Sequence, residues 1–241
     1  MCVDVVTGLH GAAELARDLL WPARCAGCDG PGNLLCDRCR RLLPWIDQRH
    51  CCPVCGAPGG WLVCTECDGS WETEACVSAL SLEGPAARLV KVYKDGHERR
   101  LAPVLAAACA CALDEASTWD RGRVDPESLD ALCFVPSTAE AFRRRGFDPM
   151  ADVAACLSAT VGVPLADALF RGRAADQRSL GRGERAANVA GTFSCAQDVS
   201  GCRLLLVDDV VTTGASVREA ARALLAAGAA GVWAVSVART W

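Results

Sequence analysis

Residues 204–216, LLLVDDVVTTGAS, decide how this chain folds. The stretch opens with apolar residues between Gly201 and two carboxylates, which predicts a short strand buried in a parallel sheet. Asp208 and Asp209 are expected at the carboxyl end of that strand. Apolar residues then recur at helical spacing as far as Gly228. The sequence therefore predicts a strand, a tight turn and the start of a helix.

The turn in this unit is predicted to bind an anion. Free backbone N–H groups and the positive end of the helix dipole favour negative charge at a helix N-terminus, so a phosphate is expected on residues 212–216. Asp208 and Asp209 would accept hydrogen bonds from vicinal hydroxyl groups, which points to a phosphorylated sugar. The stretch has neither the Gly-Lys-Ser/Thr of a Walker loop nor a GxGxxG fingerprint. The alternative is an ordinary strand-to-helix turn with a solvated acid pair.

Composition limits the other classes of protein. The 241 residues are 51% hydrophobic and 22% charged, which indicates a folded chain with room for one medium and one small domain. The net charge of -4 restricts any nucleic-acid surface to a local patch. Residues 1–15 lack a basic region, and the apolar run at 101–113 is shorter than a membrane span. We therefore expect a cytoplasmic protein.

Cysteine placement predicts a metal-binding segment. Eight of the 17 cysteines form four C-x-x-C pairs within residues 25–67. A two-residue gap lets both sulfurs of a pair reach one ion, and four thiolates complete a tetrahedral Zn²⁺ site. In a chain without export signals, this pattern favours zinc over disulfides. The predicted ligands are Cys25, Cys28, Cys36, Cys39, Cys52, Cys55, Cys64 and Cys67.

The pairing of these C-x-x-C knuckles is expected to follow their order along the chain, because sequential pairing closes the shorter loops. This gives two coordinatively closed, structural zinc sites in a double zinc ribbon, whose stability comes largely from the metal. There are two alternatives for the ligand set. The knuckles could interleave, so that the first joins the third, or Cys51 could compete as a ligand. The alternative to two zinc ions is that one site is empty or that the cysteines form redox pairs.

The remaining patterns predict the other elements of an α/β domain. Helices are expected over 12–20, 86–94, 101–116 and 150–160, and strands over 76–82, 132–136 and 232–238. Ser137 follows one strand at the edge where ligands bind to open α/β sheets. Arg145 belongs to a cluster of three arginines suited to a pyrophosphate or a nucleic-acid backbone, and a solvated basic face is the alternative for Arg143 and Arg144. Residues 171–193, with five arginines and four glycines, are expected to form a lid over a charged ligand, ending in a short strand near 189–193, or else an ordinary exposed loop.

Residues 204–216 closely resemble the phosphoribosyl pyrophosphate (PRPP) motif of type I phosphoribosyltransferases. The whole chain resembles the ComF family. That resemblance rests on the four C-x-x-C pairs, Lys91-Val92-Tyr93-Lys94, Val135-Pro136, Arg144-Arg145-Gly146-Phe147, Gln177 with Leu180, and Arg185 with Asn188. It implies a type I phosphoribosyltransferase-like parallel sheet flanked by helices, preceded by a small Cys-rich zinc-ribbon domain. The expected domains are residues 1–72, with the N-terminal helix and the double ribbon, and residues 73–241.

The resemblance implies an enzyme that binds PRPP with Mg²⁺ and transfers phosphoribosyl to an acceptor as pyrophosphate leaves. Asp208 and Asp209 would be the catalytic pair, binding the ribose hydroxyls and stabilising the positive charge that develops at the anomeric carbon. The expected PRPP-binding residues are Val210, Thr212, Thr213, Gly214, Ala215, Ser216, Pro136, Ser137, Arg145 and Arg173.

The resemblance also allows two other functions. ComF proteins are linked, in naturally competent bacteria, to the uptake of single-stranded DNA. A non-catalytic competence factor that binds single-stranded DNA or a helicase-like partner is therefore the alternative, with Lys91, Lys94, Arg99 and Arg100 as its basic patch. The third possibility is a zinc-stabilised scaffold with a degenerate pocket.

The chain departs from the family pattern at two places. Ser137-Thr138 stands where the family often has an apolar residue and proline, and Asp148-Pro149 stands where it usually has Asn-Gln. Both departures lie on the expected pyrophosphate side. Asp148 before Pro149 is nevertheless a good N-cap and N1 pair, which predicts a helix start there.

Overall fold

The computed structural model describes residues 22–67, 71–118, 123–172 and 191–240. The helix predicted over 12–20 lies outside these residues. Short 3₁₀ turns occur at Gln48–His50, Arg99–Leu101 and Pro126–Ser128. The helices are α1 (Asp37–Arg41), α2 (Gly84–Lys94), α3 (Ala102–Thr118), α4 (Ala139–Arg145), α5 (Pro149–Val161) and α6 (Ala215–Ala226). The strands are β1 (Cys76–Ser81), β2 (Ala131–Phe134), β3 (Leu169–Arg171), β4 (Phe193–Cys195), β5 (Arg203–Val211) and β6 (Gly231–Arg239).

A four-stranded parallel sheet in the order β1-β6-β5-β2 forms the centre of the molecule. The run predicted to be a buried strand forms β5, and its apolar residues are almost fully buried on both faces, as a parallel strand requires. The strand continues to Val211, because β6 supplies backbone partners as far as Arg239. Asp208 and Asp209 therefore lie in the last part of β5 and not after it, which corrects the predicted strand end.

Helices cover the two faces of the sheet. Buried side chains of α2, α3 and α5, such as Leu89, Leu105 and Val153, form one core with one face, whereas Val217 and Leu224 of α6 pack against the other. These helices lie within one or two turns of their predicted bounds. The core on each face explains why their sequences are apolar at helical spacing.

The helical stretch Arg99–Thr118, which includes α3, is long and apolar enough to cross a membrane by length and composition. From the sequence, the apolar run at 101–113 was predicted to be too short to cross a membrane. Half of its most apolar window is buried inside the fold, and α3 contacts β1, β6 and α5. Its composition is therefore explained by packing in a protein core.

A separate antiparallel ribbon joins β3 and β4, with Phe170 opposite Ser194. The sequence predicted a short strand near 189–193, and the structure places that strand at Phe193–Cys195. Its partner β3 was not predicted, because three residues carry no readable periodicity. Most of the predicted lid, residues 173–190, lies outside the described residues.

The Cys-rich segment lies along the outer edge of β1. Ile46 donates its backbone N–H to the carbonyl of Ala79 at 3.0 Å, and Ser81 donates to Pro44 at 2.9 Å. The amide side chain of Gln48 is buried and donates to the carbonyl of Ser78 at 2.9 Å. An uncovered edge strand can pair with other chains, so this segment protects the sheet as well as extending its core.

Candidate functional site

The site lies where β2 and β5, which are neighbours in the sheet, reach their carboxyl ends. α5 follows β2 and packs on one face, whereas α6 follows β5 and packs on the other. Strands whose following helices go to opposite faces leave a crevice between them, and ligands bind in that crevice in open α/β sheets. A cleft of about 200 Å³ occupies this position. It is lined by Lys94, Val135, Pro136, Ser137, Thr138, Ala141, Arg145, Met150, Arg171, Asp208, Asp209, Val210 and Ser216.

The predicted phosphate turn lies directly beside this cleft. A second concavity, of about 250 Å³, is lined by Asp208 and by residues 210–217. Gly214 has a left-handed backbone with φ of 76° and is the N-cap of α6, which begins at Ala215. Only glycine adopts this conformation readily, and it turns the first amides of the helix toward the concavity. The structure thus brings the predicted residues Val210, Thr212, Thr213, Gly214, Ala215 and Ser216 together around one turn.

The two carboxylates differ in their surroundings. Asp208 is buried, at 8% exposure, and its Oδ1 accepts a hydrogen bond from the backbone N–H of Asp209 at 2.9 Å. Burial, followed by the nearby charge of Asp209, raises the pKa of Asp208 well above its usual range, although Lys94 and Arg171 oppose the shift. Asp209 is partly exposed and forms an ion pair with Lys94. The pair therefore contains one buried acid and one acid held by a counter-ion.

Three cations face these acids across the cleft. The side chain of Arg145 is only 11% exposed, its Nη2 lies 3.5 Å from Asp95, and its Nε has no hydrogen-bond partner within the described part of the chain. Arg171 stacks over Phe193 at 5.1 Å, and burial lowers its pKa while Asp208 raises it. Such buried guanidinium groups, together with Lys94, can receive the oxygens of a phosphate or pyrophosphate.

Sequence reasoning found some of these groups and missed others. Of the residues predicted to bind PRPP, Pro136, Ser137 and Arg145 line the cleft, whereas Arg173 lies outside the described residues. Arg171 was read only as the start of a lid, and it reaches the cleft because the β3–β4 ribbon carries it there. Lys94 was assigned to a nucleic-acid patch. Its position in the Lys-Val-Tyr-Lys motif, at the last turn of α2, was the feature of the sequence that could have assigned it to the cleft.

The two departures from the family pattern contact each other. Ser137 donates its backbone N–H to Oδ2 of Asp148 at 2.7 Å, and Oδ1 of Asp148 accepts from the backbone N–H of Met150 at 2.9 Å. Asp148 is therefore the N-cap of α5, as predicted, and it also fixes the loop after β2. The loop is held in place beside the cleft by this carboxylate.

The basic patch predicted for nucleic acid is mostly paired within the protein. Arg99 forms two hydrogen bonds with Asp152, at 2.7 and 2.9 Å. Arg100 is bonded to Glu98, and Lys94 is bonded to Asp209. These charges are neutralised by neighbouring acids, so the patch presents less positive charge than its sequence suggests.

The cysteine knuckles form two clusters in sequential order, as predicted. The four sulfurs of Cys25, Cys28, Cys36 and Cys39 lie within 4.8 Å of one another, and so do those of Cys52, Cys55, Cys64 and Cys67. The interleaved arrangement is therefore wrong. Cys51 is not a competing ligand, because its thiol donates to the carbonyl of Asp47 at 3.1 Å and burial raises its pKa to about 11.

The donor sets fit a tetrahedral metal. Zn–S bonds of about 2.3 Å in a tetrahedron place the sulfurs roughly 3.8 Å apart. The Cys28–Cys36 and Cys52–Cys67 sulfurs are 3.8 Å apart, and those of Cys55 and Cys64 are 3.6 Å apart. Both clusters could therefore hold zinc without rearrangement.

Comparison with known proteins gives the family. No model of a known protein family matches the chain. The chain is 31% identical over 231 residues to the DNA utilization protein YhgH of Salmonella typhi, covering 91% of this chain and 98% of that protein. It is 28% identical over 224 residues to the competence protein ComFC of Bacillus subtilis (strain 168), covering 90% and 88%. The chain belongs to the ComF family.

Solved structures similar to this ComF protein include two phosphoribosyl enzymes. The B. subtilis glutamine PRPP amidotransferase complexed with ADP and GMP is 20% identical with a TM-score of 0.36, and the match covers 58% of this chain but only 25% of that one. The hypoxanthine-guanine phosphoribosyltransferase of L. donovani is 18% identical with a TM-score of 0.33, covering 57% and 71%. The part of the predicted fold class that these observations test is confirmed: the ComF chain has a parallel sheet with flanking helices, preceded by two Cys₄ clusters.

Proposed function

We propose that this ComF protein binds PRPP in the cleft between β2 and β5 and transfers its phosphoribosyl group to an acceptor, releasing pyrophosphate. The observation that carries the proposal is the position of Asp208 and Asp209 between a glycine turn on one side and buried cations on the other. PRPP carries a phosphate, two vicinal hydroxyls and a pyrophosphate. These groups would meet the glycine turn, the two acids and the cations in that order.

The 5′-phosphate would bind at the turn of residues 212–216. The first amides of α6 carry the positive end of the helix dipole, and a phosphate satisfies N–H groups that have no partner within the helix. Oγ1 of Thr213 accepts a hydrogen bond from the backbone N–H of Ala215 at 3.4 Å. The turn therefore supplies positioning, which is the main contribution a protein makes to such a transfer.

The two acids would bind the ribose. As ionised carboxylates, Asp208 and Asp209 accept hydrogen bonds from the 2′- and 3′-hydroxyls and stabilise the positive charge at the anomeric carbon as its bond to pyrophosphate breaks. Bound Mg²⁺ would supply charge neutralisation on the pyrophosphate, a role for which one or two carboxylates plus phosphate oxygens suffice. The bond to the acceptor forms at the same carbon, and the acceptor loses its proton to solvent.

The leaving pyrophosphate would contact the cations opposite the acids. Arg145 has an unpartnered Nε and Arg171 is partly buried beside Asp208, so both offer donors that water reaches poorly. Lys94 would have to leave Asp209 when the ligand arrives and would then bind a phosphate oxygen. Lys94 is then paired with an anion both before and after the ligand binds.

Calorimetric titration tests the proposal and separates its parts. Wild-type protein is expected to bind PRPP with Mg²⁺, and Arg145→Gln is expected to weaken PRPP about tenfold while leaving ribose 5-phosphate unchanged, because only PRPP has the pyrophosphate. Arg143→Gln, an exposed neighbour on α4, is the matched control and should change neither ligand. Absence of PRPP binding by the wild type would exclude the function. Pyrophosphate release with a panel of bases then identifies the acceptor.

The cysteine clusters are proposed to hold structural zinc. Elemental analysis should give near two zinc ions per chain, one for each Cys₄ cluster. A value near zero would overturn the double zinc ribbon. We also propose that the ribbon ends near residue 72, where the chain enters the sheet domain, and that the protein acts in the cytoplasm.

A second candidate function is DNA handling without catalysis. The support is that relatives are described as a competence protein and as DNA utilization proteins. Binding of single-stranded DNA should then weaken steeply as salt is raised, since phosphate contacts release counter-ions. The pairing of Arg99 with Asp152 and of Arg100 with Glu98 leaves this function less well supported than PRPP binding. DNA binding that resists salt, or none, would exclude it.

A further inference from the structure

Trp71 connects the second cysteine cluster to the phosphate turn. It follows the last ligand, Cys67, by four positions in the sequence. Its indole packs both against the small core around Cys52 and Cys55 and against the core under α6. No other residue belongs to both of these groups within the described ranges. Trp71 is therefore a direct physical link between the Cys-rich segment and the sheet domain.

The indole lies against the backbone of Gly214. A Cβ atom added to Gly214 would be 2.2 Å from Cη2 and 2.6 Å from Cζ2 of Trp71, so only glycine fits beneath the ring. Gly214 also has a φ of 76°, which disfavours other residues independently. The ring thus contacts the same turn that is proposed to bind the phosphate.

Arg239 links Trp71 to the metal ligands. Its side chain is 1% exposed, Nη1 donates to the carbonyl of Cys55 at 2.7 Å, and Nη2 lies 3.7 Å from the Cys55 sulfur. Its guanidinium is 5.8 Å from the centre of the Trp71 ring. A buried cation beside a thiolate ligand and an aromatic face keeps all three groups in one arrangement.

Glu72 attaches the same segment to α6. It accepts a hydrogen bond from Nε of Arg218 at 2.7 Å and is also paired with Arg222. Arg222 is bonded in turn to Glu219, which accepts from the backbone N–H of Gly191 at 2.5 Å. The helix that starts at the phosphate turn is therefore held from the side of the cysteine cluster.

We propose that Trp71 is a positioning residue through which metal at the second cysteine cluster holds the 212–216 turn in its ligand-binding shape. The phosphate at that turn rests on the proposed function. With the metal bound, Cys55 and the chain around it are fixed, Arg239 and Trp71 keep their places, and the amides of the turn are preorganised. Loss of that metal frees Trp71 and loosens the turn.

The first cysteine cluster provides an internal control. It lies elsewhere on the domain, where Gly27 approaches Cys39 and Pro85 near the start of α2. Metal at the first cluster is therefore not expected to affect the phosphate turn. The proposal predicts that the two clusters have different effects on the same amides.

Hydrogen exchange of the full-length, metal-loaded protein without ligand tests the link. Trp71→Ala is expected to speed exchange about tenfold at the Arg218 amide, which donates to the carbonyl of Gly214 at 2.9 Å, and at its neighbours in the first turns of α6, with partial recovery in Trp71→Phe. Trp61→Ala removes an exposed indole from the same cysteine segment and should leave these amides unchanged. Unchanged exchange in Trp71→Ala would overturn the proposal.

A second pair of variants covers the case in which Trp71→Ala does not fold. Cys64→Ser should release metal from the second cluster and speed exchange at the same α6 amides, whereas Cys36→Ser should release metal from the first and leave these amides protected. Equal effects of the two substitutions would overturn the proposal.

Ligand binding separates this inference from the proposed function. If wild type binds PRPP and Trp71→Ala binds it equally well, the inference is wrong and the function stands. If the wild type does not bind PRPP but the turn is looser in Trp71→Ala than in the wild type, the proposed function is wrong. The proposed link between Trp71 and the turn then stands.

Discussion

Asp208 combines a buried position with a charge that the proposed chemistry needs. Burial raises its pKa, so the folded protein holds the Asp208 proton more tightly than the unfolded chain does. The charged form is then destabilising: stability falls as pH rises from the unfolded pKa of about 4 through the raised folded value, and it stays reduced above that. A functional carboxylate at this position lowers the stability of the unliganded protein.

Asp208→Asn should therefore increase stability while it removes ligand binding. The free energy of unfolding at pH 8 is expected to rise by about 1 kcal/mol, and the gain should vanish below about pH 4, where the acid is protonated in both states. PRPP binding should be lost in the same variant. Urea unfolding at the two pH values checks the first effect, with the exposed Asp114→Asn as control. A variant less stable than wild type at pH 8 would contradict the burial argument.

At the scale of elements, sequence pattern predicted most of the sheet but not the full site. The apolar runs of β2, β5 and β6 were readable because parallel strands are buried on both faces. The cations were harder to assign, since Lys94 and Arg171 reach the cleft only through the tertiary placement of α2 and the β3–β4 ribbon. Trp71 carried no signal, because its contact with Gly214 joins segments far apart in the chain.

One buried hydrogen bond adds to the core packing that positions α2. The hydroxyl of Tyr93 donates to the carbonyl of Pro149 at 2.6 Å and ties α2 to the start of α5, and burial raises the pKa of this phenol. Tyr93→Phe leaves the carbonyl unsatisfied and should reduce the free energy of unfolding by about 1.5 kcal/mol. Because Lys94 is the next residue, PRPP affinity should fall as well. Urea unfolding and calorimetry measure the two effects, and Ser117→Ala, which removes a more exposed hydroxyl, should change neither by much.

At the scale of the whole molecule, the Cys-rich segment has two separate roles. It covers the outer edge of β1 through the backbone bonds of Ile46 and Ser81, and it supports the phosphate turn through Trp71. Such a segment buries too little apolar surface to hold its shape alone, so we expect both roles to depend on the proposed metal. The sequence predicted the clusters but not their place on the sheet, because knuckle spacing carries no information about docking.

Complete removal of metal should therefore affect the sheet domain as well as the ribbon. Dialysis against a chelator is expected to lower Tm by several degrees, about 2 to 4 °C for each kcal/mol lost in a chain of this size. It should also increase light scattering on warming, since the edge of β1 becomes free to pair with another chain. Added zinc should reverse both changes if reducing agent is kept present, because the ligands are thiolates. Cys111→Ser, which alters an exposed cysteine outside both clusters, should respond to chelator as wild type does. A metal-free protein with unchanged Tm and no added scattering would mean that the ribbon is an appendage and that the edge of β1 is protected without it.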